Sequence, residues 1–139
     1  MIRESDAAYM AGLFDGEGSI DFTKRKEKKR SGTYNCRRVS MEISMTDQSV
    51  IRWVHEVLGV GTVVKKPRKG LRKNGTKYLM QWRWRCTFRD AYYVCRVFWP
   101  YAHTKLPKIQ QVIDHYSQEK LMQGNVVSLN EYRKAMSLE

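Results

Sequence analysis

The chain has 139 residues, 42% of them hydrophobic, with four Trp, eight Tyr and four Phe; that suffices for one packed domain and excludes a disordered linker or tail. Its longest apolar run is too short to cross a bilayer, and the opening MIRESDAAY lacks the basic-then-apolar order of a signal peptide. The net charge of +12 is unevenly spread, with 19 basic residues against four acids in residues 24–89, a balance that favours a polyanionic partner.

The first predicted element is a helix over Ala7–Phe14, capped by Ser5 or Asp6 and ending near Phe14 or Asp15. Its side chains are apolar all round, which is unexpected for a surface helix in so small a chain. Gly16 and Gly18 permit the exit. From Ser19 the pattern alternates, with Ile20 and Phe22 apolar and Ser19, Asp21, Thr23 and Arg25 polar, as in a half-buried strand. KEKKRSGTYN follows as a basic loop. In the second strand Val39, Met41, Ile43 and Met45 face one way, while Arg38, Ser40, Glu42 and Ser44 face the other. Thr46 or Asp47 then caps a helix with Val50, Trp53, Val54, Val57 and Leu58 at helical spacing, stopped by Gly59-Val60-Gly61.

A third strand is expected over about Thr62–Lys66, a reversal at Asn74-Gly75, and a fourth strand over Tyr78–Phe88. Met80, Trp82, Trp84 and Cys86 share one face of the fourth; Gln81, Arg83 and Arg85 share the other. Asp90 caps a helix reaching Trp99, Pro100 breaks it, and Ile109, Val112, Ile113 and Tyr116 form a further helical stripe. Ser128 and Glu131 make a capping box for a C-terminal helix over 126–139, after a Gln123-Gly124-Asn125 linker. Residues 1–139 thus read as one domain with a core over about 5–118.

The expected fold is α+β, in the order α-β-β-α-β-β-α with further helices at the end. Two hairpins make one four-stranded antiparallel sheet, covered by helices on its apolar face. The other face is basic, and strands of this kind fit the major groove of DNA. Cys36, Cys86 and Cys95 are odd in number and lack metal-ligand spacing, so they read as reduced intracellular thiols. His55, His103 and His115 are scattered and suggest no zinc site.

Met10-Ala-Gly-Leu-Phe-Asp-Gly-Glu-Gly18 resembles the nine-letter motif of the LAGLIDADG homing endonucleases, and the element order over roughly residues 5–118 is the order that family has. The motif occurs once, which in this family implies a homodimer. The second side of the first helix would then be covered by the same helix of another copy, with Ala8, Ala11 and Gly12 small enough for close approach. A two-fold dimer implies a pseudo-palindromic site in double-stranded DNA.

The resemblance also implies chemistry. Glu17, at the eighth letter, stands for the acid that holds Mg²⁺ (with Mn²⁺ able to substitute), and the Gly16 carbonyl for a second ligand. Many members carry Asp where this chain has Glu. Asp15 reads instead as an acceptor for backbone donors near the helix end. Lys105 matches a basic residue near the active site, and Asp47 a polar residue that positions water. A family position that is often basic falls on Ile51.

Readout would come from Asp21, Thr23, Arg25, Arg38, Ser40, Glu42, Ser44, Lys66, Gln81, Arg83 and Arg85. Lys24, Lys26, Lys28, Lys29, Arg30, Lys69, Arg72 and Lys73 lie toward loop tips, where phosphates are met. The implied activity is site-specific double-strand cleavage with one phosphodiester hydrolysed per strand, leaving 3′ overhangs, by an intron-encoded protein. It would act inside the cell with access to DNA, in cytoplasm, nucleoid or organelle, with no membrane partner. Two other functions suit the same fold, an RNA-binding intron maturase without cleavage and a plain DNA-binding regulator.

Overall fold

A computed structural model describes residues 2–122. The elements are α1 (Glu4–Glu17), β1 (Gly18–Lys29), β2 (Gly32–Met45), α2 (Gln48–Leu58), β3 (Thr62–Lys66), β4 (Gln81–Thr87), α3 (Phe88–Phe98) and α4 (Leu106–Met122). The strands form one antiparallel sheet in the order β1-β2-β4-β3. The α+β architecture and the alternating faces are therefore as the pattern implied. The expected C-terminal helix over 126–139 lies outside the described residues.

Val39, Met41, Ile43, Trp84 and Cys86 point from the sheet into a core completed by Met10, Ala11 and Phe14 of α1, Ile51, Val54 and Leu58 of α2, and the inner faces of α3 and α4. Two large buried indoles keep their polar atoms satisfied. Trp84 Nε1 donates to the Val60 carbonyl at 3.0 Å, and Trp99 Nε1 donates to Gln110 Oε1 at 2.7 Å. Cys86 and Cys95 are buried, which pushes both thiols up, that of Cys86 to about 12 with a smaller push from the Asp90 charge. Neither is a reactive thiol.

Several boundaries differ from expectation for tertiary reasons. α1 starts at Glu4 with Arg3 at the cap position and no side-chain cap bond, so Ser5 and Asp6 lie in its first turn. It also runs through Gly16 to Glu17. KEKKRSGTYN is not a loop: β1 continues to Lys29 and β2 begins at Gly32, paired across a two-residue Arg30-Ser31 turn. β4 is shorter than expected, leaving residues 78–80 outside it, and α3 begins at Phe88, so Asp90 sits in the first turn and not at the cap. Phe88 makes that abrupt entry with φ of 52°. In α2 the fully buried positions are Ile51, Val54 and Leu58; Val50, Trp53 and Val57 are only half-buried.

Candidate active site and nucleic-acid interface

The apolar sequence of α1 resolves into two stripes. Ala7, Met10, Ala11 and Phe14 enter the core, while Ser5, Tyr9, Gly12, Gly16 and Glu17 are exposed and Ala8 is half-buried. Ala11 has no exposed surface, and its side chain packs into the chain's own core. Gly12 and Gly16 stand one helical turn apart with open space where a Cβ would be. Tyr9, 56% exposed, meets Trp53 edge-on at 5.5 Å.

The end of α1 carries the acids. Gly18 closes the helix in extended conformation (φ −90°), its N–H donating to the Phe14 carbonyl. Glu17 is therefore the last helical residue and passes directly into β1. It is exposed, and among the described residues no hydrogen bond or ion pair engages its carboxylate. Asp15 is committed elsewhere. Its Oδ2 accepts from the His103 amide at 2.7 Å and its Oδ1 from the Lys105 amide at 3.0 Å. The backbone donors expected for Asp15 thus come from the turn before α4, not from its own helix. Lys105 returns the contact, its Nζ donating to the Asp15 carbonyl at 3.0 Å and standing 6.0 Å from the Phe14 ring centroid.

Asp47 caps α2. Its Oδ1 accepts from the Ser49 hydroxyl at 2.6 Å and from the Ser49 and Val50 amides at 3.1 and 3.3 Å. These bonds, the Ser49 hydroxyl first, hold its carboxyl below the usual value. Asp47 follows β2 at the end of the sheet where β1 begins, since Gly18 pairs with Ile43. Ile51 is wholly buried, so that position supplies no basic group. Arg52 beside it is exposed, with its guanidinium 5.8 Å from the Trp82 ring.

No three His, Cys, Asp or Glu side chains converge among the described residues. One free carboxylate and the last-turn carbonyls of α1 form a sparse, hard-oxygen donor set. That set suits Mg²⁺, which keeps waters and shares phosphate oxygens, and does not suit zinc. Glu17 and the Gly16 carbonyl are the atoms that could hold it.

The strand register fixes which side chains share the uncovered face, because residues directly opposite point the same way. Asp21 stands opposite Ser40, Thr23 opposite Arg38, and Arg25 opposite Cys36. Glu42 stands opposite Arg85 and Ser44 opposite Arg83. Lys66 stands opposite Gln81. In the backbone register all eleven expected readout positions therefore line up on one side of the sheet. Ser19, Thr62 and Val64 share it too, opposite Glu42, Arg85 and Arg83. Thr62 and Val64 are not marked by the sequence pattern, because β3 is five residues long and its Val63-Val64 pair blurs the alternation. At the centre Glu42 lies 3.7 Å from Lys66 Nζ and 3.8 Å from an Arg83 guanidinium nitrogen. The eight basic residues expected at phosphates are all exposed. No helix among the described residues is long and apolar enough to cross a membrane.

Comparison with known proteins gives the same architecture. The homing endonuclease I-CvuI, crystallised with an I-CreI target and Mg without cleavage of the DNA, superposes with a TM-score of 0.59 at 20% identity, over 80% of this chain and 65% of that one. The archaeal intron-encoded homing endonuclease I-Vdi141I, complexed with DNA, gives 0.57 at 14% identity, over 87% and 71%. The LAGLIDADG homing endonuclease I-SmaMI, bound to cleaved DNA, gives 0.61 at 18% identity, over 94% of this chain and 42% of that one. The chain thus spans just under two thirds of I-CvuI and less than half of I-SmaMI, and at these identities the likeness is one of fold. None of the curated proteins compared with it matches. The family model described as LAGLIDADG endonuclease matches residues 10–105, from the first motif letter to Lys105. Spanning the motif, the whole sheet and the Lys105 turn, that match makes the chain a member of the LAGLIDADG endonuclease family.

Proposed function

We propose that two copies of this chain form a site-specific, Mg²⁺-dependent DNA endonuclease that cuts both strands of a long pseudo-palindromic duplex and leaves 3′ overhangs. The observation that carries this reading is the free carboxylate of Glu17 at the end of α1, beside the Lys105 turn and at the margin of a basic sheet face.

The open stripe of α1, with Ala8, Gly12 and Gly16, meets its symmetry mate and brings two Glu17 carboxylates to one axis. Glu17 and the Gly16 carbonyl hold Mg²⁺, which when bound polarises the scissile phosphate and favours hydroxide. Lys105 offers a fixed cation to the charge that develops on the phosphoryl oxygens. Asp47 has a second carboxylate oxygen beyond its cap bonds with which to orient a water. The eleven face residues read bases in the major groove and the exposed lysines and arginines of the hairpin tips hold phosphates. The likeness to I-Vdi141I, an intron-encoded homing endonuclease, supports the same genetic setting here, inside the cell with access to DNA.

The test is cleavage of a randomised plasmid library with Mg²⁺ by wild type and by Glu17→Gln. Wild type is expected to linearise a subset, and the variant to bind the same plasmids without cutting. Equal cutting by both would remove Glu17 from the active site. Binding without cutting by wild type would mark a maturase or a regulator.

A further inference from the structure

The contacts between the end of α1 and the start of α4 run in both directions. The Asp15 carboxylate accepts from the main chain of His103 and Lys105, and the Lys105 ammonium donates to the main chain of Asp15. Each side chain thus holds the other residue's backbone, across 88 and 90 positions of sequence. The need for Asp15 is local. The first helical bond of α4 runs from the Ile109 amide to the Lys105 carbonyl at 3.0 Å, so the Lys105 amide precedes any intrahelical acceptor. A carboxylate near that N-terminus is favoured by the helix dipole, and an ammonium on a last-turn carbonyl of α1 is favoured by the opposite end of the other dipole.

The acid is specific to the task. Two amide donors meet two oxygens, one each. Asn would turn an NH₂ toward one donor, and Ala would leave both without an acceptor.

We infer that Asp15 is the positioning residue for Lys105, fixing its ammonium on the carbonyl two residues before Glu17, so that cation and metal-holding acid keep one relative placement. The inference rests on the endonuclease reading above, and in it Asp15 touches neither metal nor DNA.

The experiment has two arms. In the first, single-turnover cleavage and DNA affinity are measured for wild type, Asp15→Asn, Lys105→Met and the double variant. Asp15→Asn is expected to slow cleavage about 10²-fold, the scale of a small misplacement of a reacting group, with DNA affinity unchanged. In the Lys105→Met background the same substitution is expected to do little more. An equal slowing in both backgrounds, or loss of DNA affinity in step with rate, would overturn the inference and leave Asp15 as a tie of the fold.

The second arm needs no cleavage and no variant. In wild type, NMR order of the Lys105 side chain is expected to exceed that of the exposed Lys108, with slow hydrogen exchange at the His103 and Lys105 amides. A Lys105 side chain as mobile as that of Lys108 would overturn the inference. If wild type cuts nothing and Lys105 is nevertheless ordered, the endonuclease reading fails and the Asp15–Lys105 pairing survives.

Discussion

Gly18 lies so close to Phe14 that a Cβ on it would overlap the ring, 2.6 Å from Cε2 and 2.7 Å from the Phe14 carbonyl oxygen. The last glycine of the motif is thus demanded by close approach and not by a left-handed turn, since its φ is −90°. Phe14 cannot yield, because it is wholly buried and packs on Phe98 at 5.4 Å between centroids. Gly18→Ala is expected to destabilise the fold by about 1–3 kcal/mol, the cost of overpacking a dense core. It would also displace Glu17, the preceding residue. Urea titration checks the first effect, and a variant as stable as wild type would show that the contact is slack.

Gly12 presents the opposite case. It is helical, exposed and surrounded by open space within the chain. The Cβ that Gly12→Leu adds therefore meets nothing in its own copy, and the substitution gains helix propensity, up to about 1 kcal/mol. On a helix face that must approach its mate closely, the same side chain is an obstruction. The expected outcome is a chain that folds and sediments as a monomer where wild type sediments as a dimer. A dimeric Gly12→Leu would mean that α1 does not form the contact.

What could be read from sequence, and what could not, divides along the range of the forces involved. The alternation Val39, Met41, Ile43 specifies a face, and a single register then carries Ser40, Glu42 and Ser44 to the other side. Both follow from period two and need no knowledge of the rest of the chain. KEKKRSGTYN reads as a loop because it is strongly basic and holds a Ser-Gly turn signal; it is strand because every residue but the Arg30-Ser31 turn pairs across the hairpin, as Lys28 does with Thr33. Gly16 looked like a helix breaker, yet the helix continues through it until Gly18 meets Phe14. The partners of Asp15 were beyond reach altogether. An aspartate in a helix end announces that it will accept hydrogen bonds, but only the packing of α4 against the sheet and α3 brings His103 and Lys105 to it.

Asp47 gives a prediction in pH. Its hydrogen bonds hold the folded carboxyl below its ordinary value of 3.8. The charged cap therefore contributes stability above that ordinary value, and the contribution is lost as pH falls through the lower, folded one. Asp47→Ala is expected to melt a few degrees lower than wild type near neutral pH, with a shallower loss on acidification. Asp47→Ser keeps an N-cap acceptor and is expected to recover much of the neutral-pH stability without the acid-dependent part. Thermal melts at about pH 7 and about pH 3 separate the three. Parallel acid limbs for wild type and Asp47→Ala would show that the cap bonds do not depend on charge.

Glu42 sits among cations on a surface proposed to meet phosphate-rich DNA, 3.7 Å from Lys66 and 3.8 Å from Arg83. Such half-exposed ion pairs add little to stability, about 0–1 kcal/mol, so their consequence is expected in binding. With the acid present, Lys66 and Arg83 are held in the plane of the face and partly neutralised. Glu42→Gln removes the charge and keeps the shape. Random duplex is expected to bind more tightly, and the log–log salt slope to steepen by about 0.9 for each phosphate newly neutralised. Discrimination is expected to fall at a single base pair by about 1–3 kcal/mol, where the carboxylate can accept from a cytosine amino group. Anisotropy titrations of target and random duplexes at several salt concentrations measure both quantities. Weaker binding to random duplex by Glu42→Gln would show that the carboxylate orders the two cations for DNA instead of restraining them, and Lys66 and Arg83 would then act as one preorganised unit with it.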